Sequence, residues 1–325
     1  MTGAPKYGRA DSRHMGCDRC GAPAVAWIRY SGAHLCRDHF LAFVEKRVKD
    51  EVRREVDLRP GLRIAVGLSG GKDSSTATTL LHDLVAQRPD VELVAITVDE
   101  GIATYRPRGI EVAANLCARL GIEHRVISYR QTVGFEMDMV VRLDADAIPC
   151  GYCGVFRRQA LNRAAREVGA DYVATGLNLD DTAQSILMNV ARADIDRLAR
   201  LGPHEAAQPG LVPRLQPLRM IPEKEVYLYA MLRGIPFHDA TCPYAERAQR
   251  GRFSSIVAQL EESAPGTRHA IVSTYDQLRP LLQQRFSSGE ARACERCGEP
   301  ASDLLCKACE FSERLAALAS QAGEG

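Results

Sequence analysis

The chain has 325 residues, 46% of them apolar, enough for one sizeable core with small additions but short of two large domains. Its 42 basic residues nearly balance 41 acidic ones, so no global field points to nucleic acid, and any RNA contact must come from local patches. No apolar run reaches the length of a membrane span and Met1 to Met15 is polar without a signal-peptide core, so a cytoplasmic protein with no membrane partner is expected.

Eleven cysteines fall mostly in close pairs beside a nucleotide-type loop, which favours metal ligation over a disulfide framework. The first set is Cys17 and Cys20, followed after fifteen residues by Cys36 and His39. Two such knuckles close a tetrahedral structural zinc site with all four positions filled, and Gly21 and the strand-like Val25 to Tyr30 fit a small ribbon around it. That module is too small for its own core, so metal binding and folding should be coupled. A charged helix, Phe40 to Val56, leads towards Pro60.

Leu62 to Leu68 is an apolar run short enough for a buried parallel strand, and Ser69-Gly70-Gly71-Lys72-Asp73-Ser74 turns out of it into a helical pattern from Thr76 to Ala86. The two glycines let successive backbone N–H groups face an anion, the serines add hydroxyl donors, Lys72 adds a point charge and the helix N-terminus adds its dipole. The loop therefore suits phosphate. It lacks Walker A spacing.

A second strand, VELVAITVD, ends at Asp99-Glu100-Gly101, where the carboxyl ends of strands place ligands in open α/β sheets. Asp99 and Glu100 are thus nucleotide-site candidates, though a solvated turn is a competing reading of both. Helix Arg108 to Leu120, strand HRVISY, helix Val133 to Leu143, helix Val155 to Val168, strand DYVATG and helix Asp181 to Ala191 follow. This alternation predicts an α/β fold, a doubly wound, mostly parallel sheet. Cys117 falls on the apolar stripe of its helix and reads as a core residue.

Two features sit on that sheet. Cys150 and Cys153 form a CxxC at the mouth of a helix, followed by Arg157 and Arg158, and helix dipole and cations both favour thiolate there. At Thr175 to Asp181 a strand ends in a glycine turn, and Asp180 and Asp181 either hold Mg²⁺ on ATP phosphates or serve as a helix cap and a first-turn charge. Cys242 follows Cys153 with 88 residues between. Three such thiols suit an iron–sulfur cluster with one iron lacking a protein ligand, or a persulfide chemistry in which Cys242 resolves a sulfur carried by Cys150 or Cys153.

Asp194 to Pro222 is rich in Arg, Pro and Gly and reads as a mobile or partner-ordered loop before helix Lys224 to Arg233. Helical patterns at Ser255 to Glu262 and Thr267 to Gln284 follow. Cys294 and Cys297 are then separated by eight residues from Cys306 and Cys309, a four-thiolate structural zinc site, and the tail Gln321 to Gly325 is expected to be disordered. The expected division is an N-terminal zinc finger (1–45), a linker helix (46–60), a main domain (61–285) and a C-terminal zinc finger with tail (286–325).

In this order, CxxC…CxxH, SGGKDSS, ITVDEGI, PCGYCG, GLNLDD, TCPY and CxxC…CxxC resemble the TtuA family of tRNA 2-thiouridine synthetases, within the PP-loop ATP pyrophosphatases. The resemblance runs from Cys17 to Cys309. It implies an ATP-dependent tRNA sulfurtransferase that adenylates the C2 oxygen of a uridine and replaces it with sulfur. By position, the ATP loop is Ser69 to Ser74 with Lys72, the 4Fe–4S ligands are Cys150, Cys153 and Cys242, and Asp181 lies near the uridine. Implied cofactors and partners are ATP, Mg²⁺, the 4Fe–4S cluster, two Zn²⁺, tRNA and a ubiquitin-like sulfur carrier with a C-terminal thiocarboxylate; a homodimer is compatible with it. A related PP-loop sulfurtransferase acting on a small molecule or another nucleoside through a persulfide is the alternative. One position departs from the family: a lysine is common seven residues after the first cluster cysteine, and Arg157 stands there.

Overall fold

A computed structural model describes residues 16–86, 88–203, 208–245, 250–286 and 292–323. The chain begins with an antiparallel hairpin, β1 (Ala26–Ile28) and β2 (Ala33–Leu35), and the helix α1 (Arg37–Glu55). Phe40, Leu41, Val44, Val48 and Val52 recur at helical spacing on α1 and are buried, so the linker helix is one face of the main core. Arg47 on α1 pins the hairpin to that core: it donates to Tyr30 Oη at 2.6 Å, to Glu225 at 3.1 Å and to His269 Nε2 at 3.0 Å. Burial, and after it Arg47, holds His269 down at about 4, so it accepts as a neutral ring.

The central sheet is built from β3 (Leu62–Gly67), β4 (Val91–Asp99), β5 (Glu123–Ser128), β6 (Tyr172–Ala174) and β7 (Arg214–Leu215), in the order β5-β4-β3-β6-β7. All its neighbouring pairs are parallel, with Ile64 opposite both Leu93 and Tyr172. The chain winds outward from β3 through α2 (Lys72–Val85), β4, α3 (Arg106–Leu120) and β5. It then crosses through α4 (Tyr129–Val133), α5 (Met137–Leu143) and α6 (Pro149–Glu167) to β6 on the other side of β3. The order reverses between β3 and β6, and at such a point the carboxyl ends of two strands diverge and leave a crevice.

Three expectations are corrected. The helix expected over Val133 to Leu143 is two helices, because Gly134 ends α4 in the left-handed region. The segment Asp194 to Pro222 is not simply a loop: it holds α8 (Ile195–Ala199) and β7, whose Arg214 pairs with Val173; residues 204–207 lie outside the described ones. Gln321 to Gly323 is helical, as the end of α12 (Lys307–Gly323).

Beyond β6 lie α7 (Leu179–Ala191), α9 (Glu223–Arg233), α10 (Arg250–Ser263) and α11 (Thr267–Arg285); α10 and α11 pack on α7 through Leu179, Ile186, Val257, Val272 and Tyr275. The C-terminal module, with strands β8 (Arg292–Ala293) and β9 (Pro300–Ala301), shares an apolar cluster with α6, in which Cys294, Cys306 and Leu315 meet Tyr152 and Phe156. Phe311 of α12 lies 4.4 Å from the Tyr152 ring. No helix among the described residues is long and apolar enough to cross a membrane.

Candidate active site

The nucleotide-type loop leaves β3 at the crevice. Its sequence closes it on itself: Ser69 Oγ and Ser74 Oγ lie 3.0 Å apart, Ser69 N–H donates to Ser74 Oγ at 3.1 Å, and Ser74 Oγ–H donates to the Gly71 carbonyl at 3.0 Å. Gly70 has φ +80, and a Cβ there would stand 2.1 Å from the Gly109 carbonyl at the start of α3, so only glycine fits. Gly71 is the N-cap of α2 and supplies no side-chain cap, so the first-turn N–H groups of α2 are left for a ligand. Asp73 and Ser74, which could have capped the helix, do not. These donors fit the phosphates of ATP.

Opposite the loop, the turn after β6 approaches closely. A Cβ on Gly176 would stand 2.7 Å from the Ser74 nitrogen. Thr175 Oγ1, at the end of β6, is buried without a partner. Asn178 caps α7 in a reciprocal capping box with Asp181 and also donates to Asp73 at 3.0 Å. Asp180 accepts from the Glu223 N–H at 2.8 Å and pairs with Arg268 at 3.0 Å. Burial raises Asp180, and those partners hold it in a structural role. Lys72 Nζ lies 2.9 Å from Asp73 and 2.7 Å from Glu223. Desolvation works against its charge, yet these two carboxylates raise it overall. Asp99, at the end of β4, accepts the Gly101 N–H at 2.9 Å and so orders the turn beside the loop.

The cysteines of α6 lie across the same end of the sheet. Cys150 is exposed and Cys153 half-buried one turn later on the same helix face; Cys153 and Cys242 pack against one apolar cluster with Tyr129, Tyr152 and Phe156. Cys153 Sγ accepts from Arg157 Nη2 at 3.2 Å and lies 3.4 Å from Tyr129 Oη, whose proton goes to the Cys153 carbonyl at 2.8 Å. The segment carrying Cys242 touches the nucleotide loop directly, because His238 N–H donates to the Gly70 carbonyl at 2.7 Å. The three thiols form no disulfide and do not form a tight single-ion set among the described residues. That wider spacing fits a cluster, whose thiolates bind separate irons.

The terminal sets are the opposite. Cys17, Cys20, Cys36 and His39 form one group, and Cys294, Cys297, Cys306 and Cys309 another, each with its ligand atoms within 4.8 Å of one another. Desolvation pushes Cys17 and Cys294 up, but backbone N–H bonds, from Cys36, Arg19 and Cys20 and from Cys306, Cys297 and Arg296, bring each down to about 6. Cys297 is pushed up to about 11, first by burial. Four ligand atoms this close in each set could hold a metal ion with every position filled. Cys117 is buried, and burial alone raises it to about 11, as suits a core thiol.

Sequence reasoning missed Arg106, Asn178, Glu223 and His238. Glu100 stood beside Asp99 as a nucleotide-site candidate; it is instead buried between Arg106 and Arg157. These partners come from separate helices, and only ITVDEGI hinted at one of them.

The PP-loop domain family matches residues 43–259, and the N-terminal LIM domain of the 2-thiouridine synthetase TtuA matches residues 17–41. The chain is 41% identical to the tRNA 2-thiolation protein NcsA of Haloferax volcanii, over 94% of this chain and 100% of that protein. It is 34% identical to cytoplasmic tRNA 2-thiolation protein 1 of Oryza sativa, over 94% and 84%. It superposes on the U34-tRNA thiolase NcsA of Methanococcus maripaludis, solved with its 4Fe–4S cluster, with a TM-score of 0.81 and 36% identity, covering 93% of this chain and 96% of that one. By both its PP-loop match and these relatives, the chain belongs to the PP-loop family of tRNA 2-thiolation proteins.

Proposed function

We propose that the protein is an ATP-dependent tRNA sulfurtransferase that converts a uridine, the wobble U34, to 2-thiouridine in the cytoplasm. The observation that carries this reading is the junction of two sites at one end of the sheet: an uncapped PP-loop helix, and a cysteine set tied to it by the His238–Gly70 hydrogen bond. ATP lies along Ser69 to Ser74. The uridine C2 oxygen attacks the α-phosphate and expels pyrophosphate, while Lys72 and the first-turn N–H groups of α2 stabilise the charge that develops there. Asp181, at the same end of the sheet, faces the base, and Mg²⁺ accompanies the phosphates.

Cys150, Cys153 and Cys242 would hold a 4Fe–4S cluster, which would supply the sulfur chemistry by which sulfide replaces the activated oxygen with release of AMP. Arg157 and Tyr129 hold the Cys153 side chain and backbone in place. Both terminal sets hold zinc, the ion suited to four closed thiolate and imidazole positions. A ubiquitin-like carrier with a C-terminal thiocarboxylate brings the sulfur, and a homodimer remains compatible with this scheme. Arg158 and Arg214 form a local basic site for RNA phosphate: Arg214 is pulled down by burial and then by Arg158 beside it.

The test is an anaerobic reaction of iron-loaded protein with ATP, Mg²⁺, sulfide and unmodified tRNA, followed by mass spectrometry of the digested RNA. The expected result is 2-thiouridine at position 34 with AMP release that requires tRNA. AMP release at the same rate without tRNA would favour the small-molecule reading instead.

A further inference from the structure

Between the nucleotide loop and the cysteines lies a buried ion-pair bridge. Glu100 follows β4 and is 1% exposed, with its carboxylate between two guanidinium groups. On one side Arg106 of α3, 3% exposed, donates Nη2 to Glu100 Oε1 at 2.7 Å, while its Nη1 donates to the Ser69 carbonyl at 3.0 Å. On the other side Arg157 of α6 holds Nη2 2.8 Å from the same Oε1 and 3.2 Å from Cys153 Sγ. Direct contacts thus run from Ser69 through Arg106, Glu100 and Arg157 to Cys153.

Two physical points make this more than packing. Desolvating a carboxylate is costly, and a buried ion pair is weak as a source of stability, so the bridge fits a role in fixing geometry. The arrangement also has two cations for one carboxylate, and the second cation lies against the sulfur of Cys153. One nitrogen of a planar guanidinium, Arg157 Nη2, meets both the carboxylate and the sulfur, and the rigid plane fixes their relative direction as a lysine ammonium on a flexible stem would not. The Cys242 arm meets the loop separately, through His238 and Gly70, and the Tyr105 ring lies 5.5 Å from His238 next to Arg106. Both arms of the cysteine site therefore rest on the Ser69–Ser74 loop.

We infer that Glu100 is a positioning residue that makes the cysteine site answer to the nucleotide: as the loop closes on a triphosphate, Arg106, Glu100 and Arg157 shift the cationic charge held against Cys153. The inference rests on the proposed reading of ATP at the loop and a cluster at the three cysteines. Its consequence is timing, since sulfur is presented only when the loop holds a nucleotide.

Linkage makes the coupling measurable from either end. The affinity for Mg²⁺ and α,β-methylene-ATP, which cannot be split at the α–β position, is titrated calorimetrically against the full chain with and without its iron, for wild type and Glu100→Gln. Wild-type affinities should differ at least about fivefold between the two forms, and in Glu100→Gln the ratio should fall to within about twofold of one, with iron content and melting temperature retained. An unchanged ratio in Glu100→Gln, or a ratio of one in wild type, overturns the inference.

If Glu100→Gln fails to fold or to load iron, Arg157→Ala breaks the same bridge at a side chain that is 52% exposed, and persistence of the wild-type ratio there overturns it equally. If the wild type itself loads no iron, the cluster reading is lost. The bridge is then tested by the rate of Cys153 alkylation with and without the analogue, read by peptide mass spectrometry. A nucleotide-dependent rate that Glu100→Gln abolishes retains the bridge, and an indifferent rate removes it.

Discussion

The terminal cysteine sets and the central one use the same side chain in opposite ways. In each terminal set four ligand atoms crowd within 4.8 Å, with Cys20 and Cys36 sulfurs 3.7 Å apart and Cys297 and Cys306 sulfurs 3.6 Å apart. The central set has three thiols more widely placed, one exposed and two half-buried, with Tyr129 and Arg157 aimed at Cys153. A closed set leaves an ion no open position, whereas three thiols leave one for a substrate atom. The terminal sets are also woven into the main cores. Cys17 and Cys36 lie in the cluster that covers one face of the sheet, and Gln159 of α6 reaches Cys297 and Cys306 at 3.5 and 3.7 Å. The C-terminal cysteine set thereby buttresses the helix that presents Cys150 and Cys153.

The sharpest way to break this contrast is to remove chemistry without structure. Cys242→Ser should abolish thiolation and iron while leaving both terminal sets occupied, and Lys72→Ala should slow thiolation by about 10²–10³-fold with iron retained, both read by mass spectrometry and metal analysis. Cys306→Ser should do the reverse, losing one metal ion and several kcal/mol of stability in thermal unfolding, because its ligand set and its packing on α6 fail together.

A smaller effect tests the loop alone. Gly176→Ala puts a Cβ 2.7 Å from the Ser74 nitrogen, where backbone must move, and should cost about 1–3 kcal/mol in ATP binding by calorimetry with both metal types unchanged.

The smallest effect lies far from all three sets. Glu55 accepts the Gln216 N–H at 2.9 Å, and burial, opposed by that bond and by Arg219, Arg54 and Arg279, raises its carboxyl to about 7. A raised carboxylate pKa means the folded state binds the extra proton. That contribution is fully present below about 4.5 and is lost as pH rises through about 7. Glu55→Gln should therefore gain on wild type in melting temperature as pH rises across that window; parallel curves would contradict it.

The sequence made legible what is local. SGGKDSS after LRIAVG encodes strand, turn and helix start within a few residues, and each CxxC fixes its own knuckle. What it hid is either short or distributed. The two residues of β7 have no periodicity of their own and owe their strand to pairing with β6, so an Arg- and Pro-rich segment concealed the fifth strand. Gly134, in a helical pattern, is the break between α4 and α5. Arg106, Glu100 and Arg157 meet only because α3, β4 and α6 converge at one end of the sheet, and no spacing announces that.

Iron and zinc are expected on different cysteines, with only iron serving the chemistry. The direct measurement is iron, acid-labile sulfide and zinc per chain in protein purified without oxygen, for wild type, Cys242→Ser and Cys306→Ser. The account predicts about four irons and two zincs in wild type, iron lost with zinc kept in Cys242→Ser, and zinc halved in Cys306→Ser. Zinc alone in the wild type, with no iron even after anaerobic reconstitution, would contradict it and move the sulfur to a persulfide on Cys150 or Cys153.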